Sequence, residues 1–108
     1  MNAYAEIYRL QEQAEKAALC IIVATKGSTP RKVGAKMLVF ESGRIKGTIG
    51  GGNLEKKVIE NAIKQIQKNQ PETFNHDLLH QHNMCCGGSV QVYIEPINKM
   101  KRLYIFGA

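Results

Sequence analysis

Two segments of the chain carry a helical stripe. Over residues 3–17, Ile7, Leu10, Ala14 and Ala17 recur at three- and four-residue steps among Glu, Gln and Lys, which predicts an amphipathic helix. Leu54, Val58, Ile59, Ala62, Ile63 and Ile66 repeat the pattern as far as Lys68. Asn53 reads as the N-cap of this second helix, with Glu55 in its first turn, Lys64 and Lys68 toward its negative end, and Asn69-Gln70-Pro71 as the stop. Elsewhere the period is that of strands. Leu19-Cys20-Ile21-Ile22-Val23-Ala24 is an unbroken apolar run, too short for a helix and rich in β-branched residues, and predicts a central strand covered on both faces. Residues 36–40 and 44–48 flank Glu41-Ser42-Gly43 as a β-hairpin. Residues 72–79 alternate weakly through Phe74, Leu78 and Leu79, and residues 89–95 alternate clearly before Pro96, predicting a half-exposed strand. The sum is an α/β fold, a mixed β-sheet of about five or six strands with two main helices, in a single domain.

Three irregular segments separate these elements. They are Lys26-Gly27-Ser28-Thr29-Pro30-Arg31 with Val33-Gly34-Ala35, then Gly50-Gly51-Gly52-Asn53, then residues 80–88, which end in Met84-Cys85-Cys86-Gly87-Gly88. At the end of the chain Leu103-Tyr104-Ile105-Phe106 precedes Gly107-Ala108. That pattern suits either an ordinary strand of this domain or the opening of a dinucleotide-binding βαβ unit, whose further glycines and helix do not follow here.

Composition narrows the class. A length of 108 residues is enough for one self-supporting core, and 44% hydrophobic content is that of a globular chain. The first residues lack a basic and apolar leader, and no stretch nears the roughly 18 apolar residues of a membrane span. The expectation is a cytoplasmic protein without membrane attachment. Three cysteines, two of them adjacent, suit free thiols in a reducing compartment better than a disulfide framework. A formal charge of +6 favours anionic partners, but the basic residues are dispersed and lack interleaved aromatics, which argues against nucleic acid.

Candidate chemistry lies in the irregular segments. Gly50-Gly51-Gly52 ahead of a helix offers unobstructed backbone N–H groups at the positive end of a dipole, a seat for phosphate, although the glycines equally serve a tight turn. Arg31 carries a planar donor head suited to phosphate or carboxylate, with the Ser28 and Thr29 hydroxyls beside it. Cys85 and Cys86 stand among glycines where a thiolate is accessible, whereas Cys20, inside an apolar strand, reads as a small hydrophobe. His80, His82, Cys85 and Cys86 do not have the spacing of a closed zinc site, and His76 has less support as a ligand. No catalytic triad, nucleophile elbow or carboxylate pair is present, so no catalytic residue is assigned.

Taken in order, Lys26-Gly27-Ser28-Thr29-Pro30-Arg31 with Gly34-Ala35-Lys36-Met37, Gly47-Thr48-Ile49-Gly50-Gly51-Gly52-Asn53-Leu54-Glu55, and Cys86-Gly87-Gly88 with Val92 and Glu95-Pro96 closely resemble the xanthine dehydrogenase accessory protein family, XdhC/CoxI. The resemblance implies that residues 1–100 form that family's N-terminal domain, and that residues 101–108 begin a Rossmann-like second domain that would take a dinucleotide. It implies binding of the molybdenum cofactor, molybdopterin, and its delivery, with sulfuration support, to a xanthine dehydrogenase-type molybdoenzyme. The chain would then be a non-catalytic cofactor chaperone, helped by a sulfurtransferase of the cysteine desulfurase kind. Cys86 matches the family cysteine before Gly87-Gly88 and would approach molybdenum, while Arg31, with Ser28, and Gly50 to Gly52 match the other two signature loops. At Asn53 the family often has cysteine, so this chain lacks one sulfur ligand there. Exposed edge strands make a homodimer the expected assembly. The alternatives are a domain that only docks the target dehydrogenase, and part of a nucleotide-binding oxidoreductase-like enzyme.

Overall fold

A computed structural model of the chain describes residues 2–7, 16–27, 29, 31–78 and 88–97. Residues 3–7 are helical and are called α1. They are followed by β1 (Ala17–Lys26), β2 (Lys36–Phe40), β3 (Ile45–Gly47), α2 (Gly52–Lys68), β4 (Glu72–Asp77) and β5 (Ser89–Ile97). The five strands form one sheet in the order β3-β2-β1-β5-β4. The α/β class, the strand number and the two helices are those expected from the hydrophobic period. The mixed sheet is refined in one respect, since all four pairings are antiparallel. The reason lies in the connections: a tight turn at residues 41–44 must reverse the chain between β2 and β3, and α2 carries it from one edge of the sheet to the other without creating a parallel neighbour.

β1 is the centre of the structure, as its continuous apolar run requires. Its alternate residues divide between two cores. Ala18, Cys20 and Ile22 join Met37, Val39, Val92 and Ile94 beneath Leu54, Val58, Ala62 and Ile66 of α2. Ala17 and Leu19 join Leu38, Phe40 and Ile97 beneath Ala3 and Ile7 of α1. Burial on both faces explains why β1 lacks the polar alternation that β5 shows. The small side chains at 17, 18 and 20 let both helices approach the sheet. Toward its C-terminal end β1 changes register between Ile22 and Ala24, and Val23 at that bulge is exposed. A Lys46 to Glu6 ion pair of 3.2 Å links β3 to α1.

Several boundaries differ from those the sequence suggests: Ala17, the last apolar position of the first helical stripe, opens β1, which runs on to Lys26, β3 is shorter, and β4 ends at Asp77. α2 begins at Gly52 with Gly51 as N-cap, so Asn53 lies inside the helix and is not its cap. The glycine backbone reaches the required left-handed geometry (Gly51 φ 76°) and the helix starts as soon as it does, which leaves no place for a side-chain cap. β5 runs through Pro96 to Ile97. Pairing with β4 ends at Ile94, so Pro96 lies where β5 has β1 on one side only among the described residues, the setting in which a strand tolerates proline.

Candidate functional site

The registers place one set of strand ends together. Lys26 of β1 pairs with Ser89 of β5, which pairs with Asp77 of β4, whereas the start of β2 and the end of β3 lie further back along β1, Lys36 opposite Ile21 and Gly47 opposite Met37. The loop after β1 spans this difference, leaving Lys26 beside the entry to β5 and returning to the level of Ile22, whose carbonyl accepts from the Gly34 N–H. This is the geometric core of the candidate site.

Two contacts tie the three segments. The Arg31 side chain packs against Gly50, where an added Cβ would lie 2.5 Å from Nε and 2.9 Å from Cδ and Cζ, and Arg31 Nη2 donates to the Gly51 carbonyl at 3.2 Å. Gly50 has φ 124°, so glycine is required there both by backbone and by space. On the other flank, a Cβ on Gly27 (φ 75°) would lie 3.0 Å from the Gly88 Cα, so the loop after β1 meets the start of β5 backbone to backbone. Arg31 is further oriented by its own N–H, which donates to the Thr29 hydroxyl at 3.2 Å.

The glycine turn is held from within. Glu55 Oε2 accepts hydrogen bonds from the Thr48 hydroxyl at 2.6 Å, the Ile49 N–H at 3.2 Å and the Gly51 N–H at 2.9 Å. The Gly50 N–H donates to the Thr48 hydroxyl oxygen at 3.0 Å. In the turn that the sequence marks as a seat for phosphate, the Gly50 and Gly51 amides, like that of Ile49, have partners inside the chain. In the sequence alone Glu55 is only an acid in the first turn of a helix, favourable to its dipole. The signal for its larger role is an acidic residue one turn after a glycine run, close enough to reach back to the amides before the helix.

Of the residues expected to form the site, Arg31, Gly50, Gly51, Gly52, Asn53 and Gly88 lie at this end of the sheet. Ser28, Cys86 and Gly87 lie outside the described residues, as do Cys85, His80, His82 and residues 101–108. Two clefts open here. One of about 410 Å³ is lined by Arg31, Lys32, Ala35, Thr48, Ile49 and Gly50. Another of about 290 Å³ has Lys26, Asn75, Asp77, Ser89 and Gln91 among its lining residues. Cys20 stands apart from both, fully buried under α2, and burial pushes its thiol up to about 12. His76 is buried in β4 opposite Val90. Among the described residues no cluster of His, Cys, Asp and Glu could hold a metal ion, and no helix is long and apolar enough to cross a membrane.

Comparison with known families settles the kinship of these loops, because a family model for XdhC and CoxI proteins matches residues 10–77, well over half of the chain. The chain belongs to the XdhC and CoxI family. Its relatives include Escherichia coli uncharacterized protein YqeB, 38% identical over 112 residues that take in 100% of this chain and 20% of that protein. A Bacillus subtilis protein described as a probable xanthine dehydrogenase subunit is 29% identical over 94% of this chain and 32% of its own length. The crystal structure of a Bacillus halodurans protein described as a xanthine dehydrogenase superposes with a TM-score of 0.75 at 29% identity, covering 98% of this chain and 35% of that one. The chain thus spans between a fifth and about a third of the relatives it matches. The shared fold is that of this one XdhC/CoxI domain.

Proposed function

We propose that this XdhC/CoxI domain binds the molybdenum cofactor and delivers it, with support for its sulfuration, to a xanthine dehydrogenase-type enzyme. The observation that carries this reading is the meeting of the three signature loops at one end of the sheet, through Arg31 against Gly50 and Gly51 and through Gly27 against Gly88. Family membership, and relatives described as xanthine dehydrogenases, support the link to that enzyme class.

The residues fit the chemistry of the cofactor. Molybdopterin ends in a phosphate, and the cleft beside the glycine turn has two cationic residues, Arg31 and Lys32, in its lining. A soft thiolate suits a sulfur-rich metal centre, and Cys86 stands two residues before Gly88 in the sequence. When bound, the group supplies dithiolene-held molybdenum, whose redox chemistry belongs to the enzyme that receives it. The domain's own part is to bind and shield. Sulfur would come from a cysteine desulfurase-type partner, and a homodimer is the proposed working form.

Anaerobic titration with molybdopterin, followed by absorbance before and after thiol alkylation, tests the reading. Saturable binding that Arg31→Ala weakens and that Cys86→Ala or alkylation weakens independently is the expected result. A Cys86→Ala protein that binds as tightly as the unmodified one removes the thiolate role. Absence of any binding, with retention of a complex with the dehydrogenase, would instead favour a domain that only docks.

A further inference from the structure

Backbone amides in a turn ahead of a helix form a concave seat for an anion, and in this chain that seat has an occupant. The Glu55 carboxylate lies at the focus of the Thr48 hydroxyl and the Ile49 and Gly51 amides. The Gly50 amide, between them, is bonded to the Thr48 hydroxyl oxygen. A phosphate arriving at the turn would meet engaged donors and a carboxylate of its own sign. The cations are arranged differently. Arg31 passes over Gly50 because no Cβ obstructs it, and it grips the Gly51 carbonyl while Glu55 grips the Gly51 N–H. Opposite charges therefore hold the two polar ends of one residue. The adjoining cleft of about 410 Å³ is lined by Arg31 and Lys32 with Ala35, Thr48, Ile49 and Gly50.

We propose that the anionic end of the ligand is seated in the Arg31 and Lys32 cleft, on side-chain cations, and that Glu55 is the positioning residue that reserves the amides of the glycine turn. The proposal rests on the cofactor-carrier reading for the identity of the ligand, and on the hydrogen bonds of Glu55 for the division between cleft and turn. Glu55 shapes the wall of the cleft and prevents the turn from becoming a second, unselective phosphate site. Loss of its charge frees the two amides for an external anion.

The test is a titration of ¹⁵N-labelled protein with inorganic pyrophosphate, following backbone amide resonances in the unmodified chain, Lys32→Ala, Glu55→Gln and Glu55→Ala. In the unmodified chain the amides of Lys32 and Ala35 are expected to shift saturably, with Ile49 and Gly51 moving least among the cleft residues. Lys32→Ala should weaken the affinity by about threefold or more, the equivalent of one partly exposed charge contact. In Glu55→Ala the amides of Ile49 and Gly51 should become the strongest responders, and Glu55→Gln, which keeps an acceptor oxygen without the charge, should respond to an intermediate degree. The glutamine variant carries the test if the alanine variant does not fold. The proposal is overturned if the unmodified chain gives no saturable response, if its Ile49 and Gly51 amides respond most strongly, if Lys32→Ala binds equally well, or if the Glu55 variants respond like the unmodified chain. A parallel molybdopterin titration separates the two readings. Pyrophosphate results as expected with no molybdopterin binding would remove the carrier function and leave the division of labour standing, and the converse would do the opposite.

Discussion

Gly50 shows how much of the site is decided by a missing methyl group. Alanine at φ 124° is strained, and its Cβ would sit 2.5 Å from Arg31 Nε, so the guanidinium must leave its place over the turn. Gly50→Ala is expected to cost about 1–3 kcal/mol in a urea-unfolding experiment, with weakened anion binding as a separate effect. Cys20 gives a prediction of the opposite kind, because its chemistry is suppressed. Burial pushes the thiol from 9.0 up to about 12, so an alkylating reagent at pH 8 should leave Cys20 unmodified until the chain unfolds. The pH dependence follows. Above pH 9 the unfolded chain releases this proton while the folded chain keeps it, so the unfolded state binds fewer protons. The contribution of Cys20 is then lost progressively between about pH 9 and 12, by up to about 1.4 kcal/mol per pH unit. Comparing the unfolding free energies of the unmodified chain and Cys20→Ala across that range isolates it. A parallel pH dependence in the two proteins would refute the assignment.

At the scale of elements, α2 lays its apolar stripe on one face of the sheet. Leu54 and Val58 are fully buried against the central strands. Leu54→Ala removes a large side chain directly behind the glycine turn and is expected to cost about 2–5 kcal/mol. The C-terminal end depends on Asn69, which takes the left-handed conformation at φ 54° while its N–H reaches the Gln65 and Ile66 carbonyls. Asn69→Gly should be neutral or slightly stabilising, and Asn69→Ala should lower stability by about 1 kcal/mol, both read from thermal or urea unfolding. The stop at residues 69–71 was legible because asparagine and proline announce it. The start was not, since Asn53 has the right chemistry for a cap but the glycine backbone before it turns into the helix two residues sooner. The hairpin of β2 and β3 and the alternation of β5 were equally plain, as each is a local pattern.

For the whole molecule the decisive feature is the antiparallel sheet, which brings the ends of β1, β5 and β4 together, while Arg31 in the loop after β1 reaches the turn before α2. Gly27 is the hinge pin of that arrangement. A side chain there meets the Gly88 Cα, and Gly27→Val should separate the loop after β1 from the entry to β5. If the carrier reading holds, this variant should lose molybdopterin affinity by at least about tenfold, equivalent to about 1.4 kcal/mol, while Arg31 and Glu55 remain in place. Unchanged affinity in a folded Gly27→Val protein would show that the two segments act separately.

The local chemistry of the chain was enough to determine the two helices, the strand periods, the central position of β1, the thiol buried inside it and the order of the three loops that mark the XdhC/CoxI family. These depend on side-chain spacing and turn residues, whose effects reach only a few positions along the chain. Strand order, the antiparallel directions, the seating of Arg31 on Gly50, the contact of Gly27 with Gly88 and the commitment of Glu55 to the glycine turn were decided by tertiary structure alone. Each is a contact between residues whose proximity arises from packing, and in the case of Glu55 a carboxylate reaches three donors of the turn that the glycines by themselves mark as an anion seat.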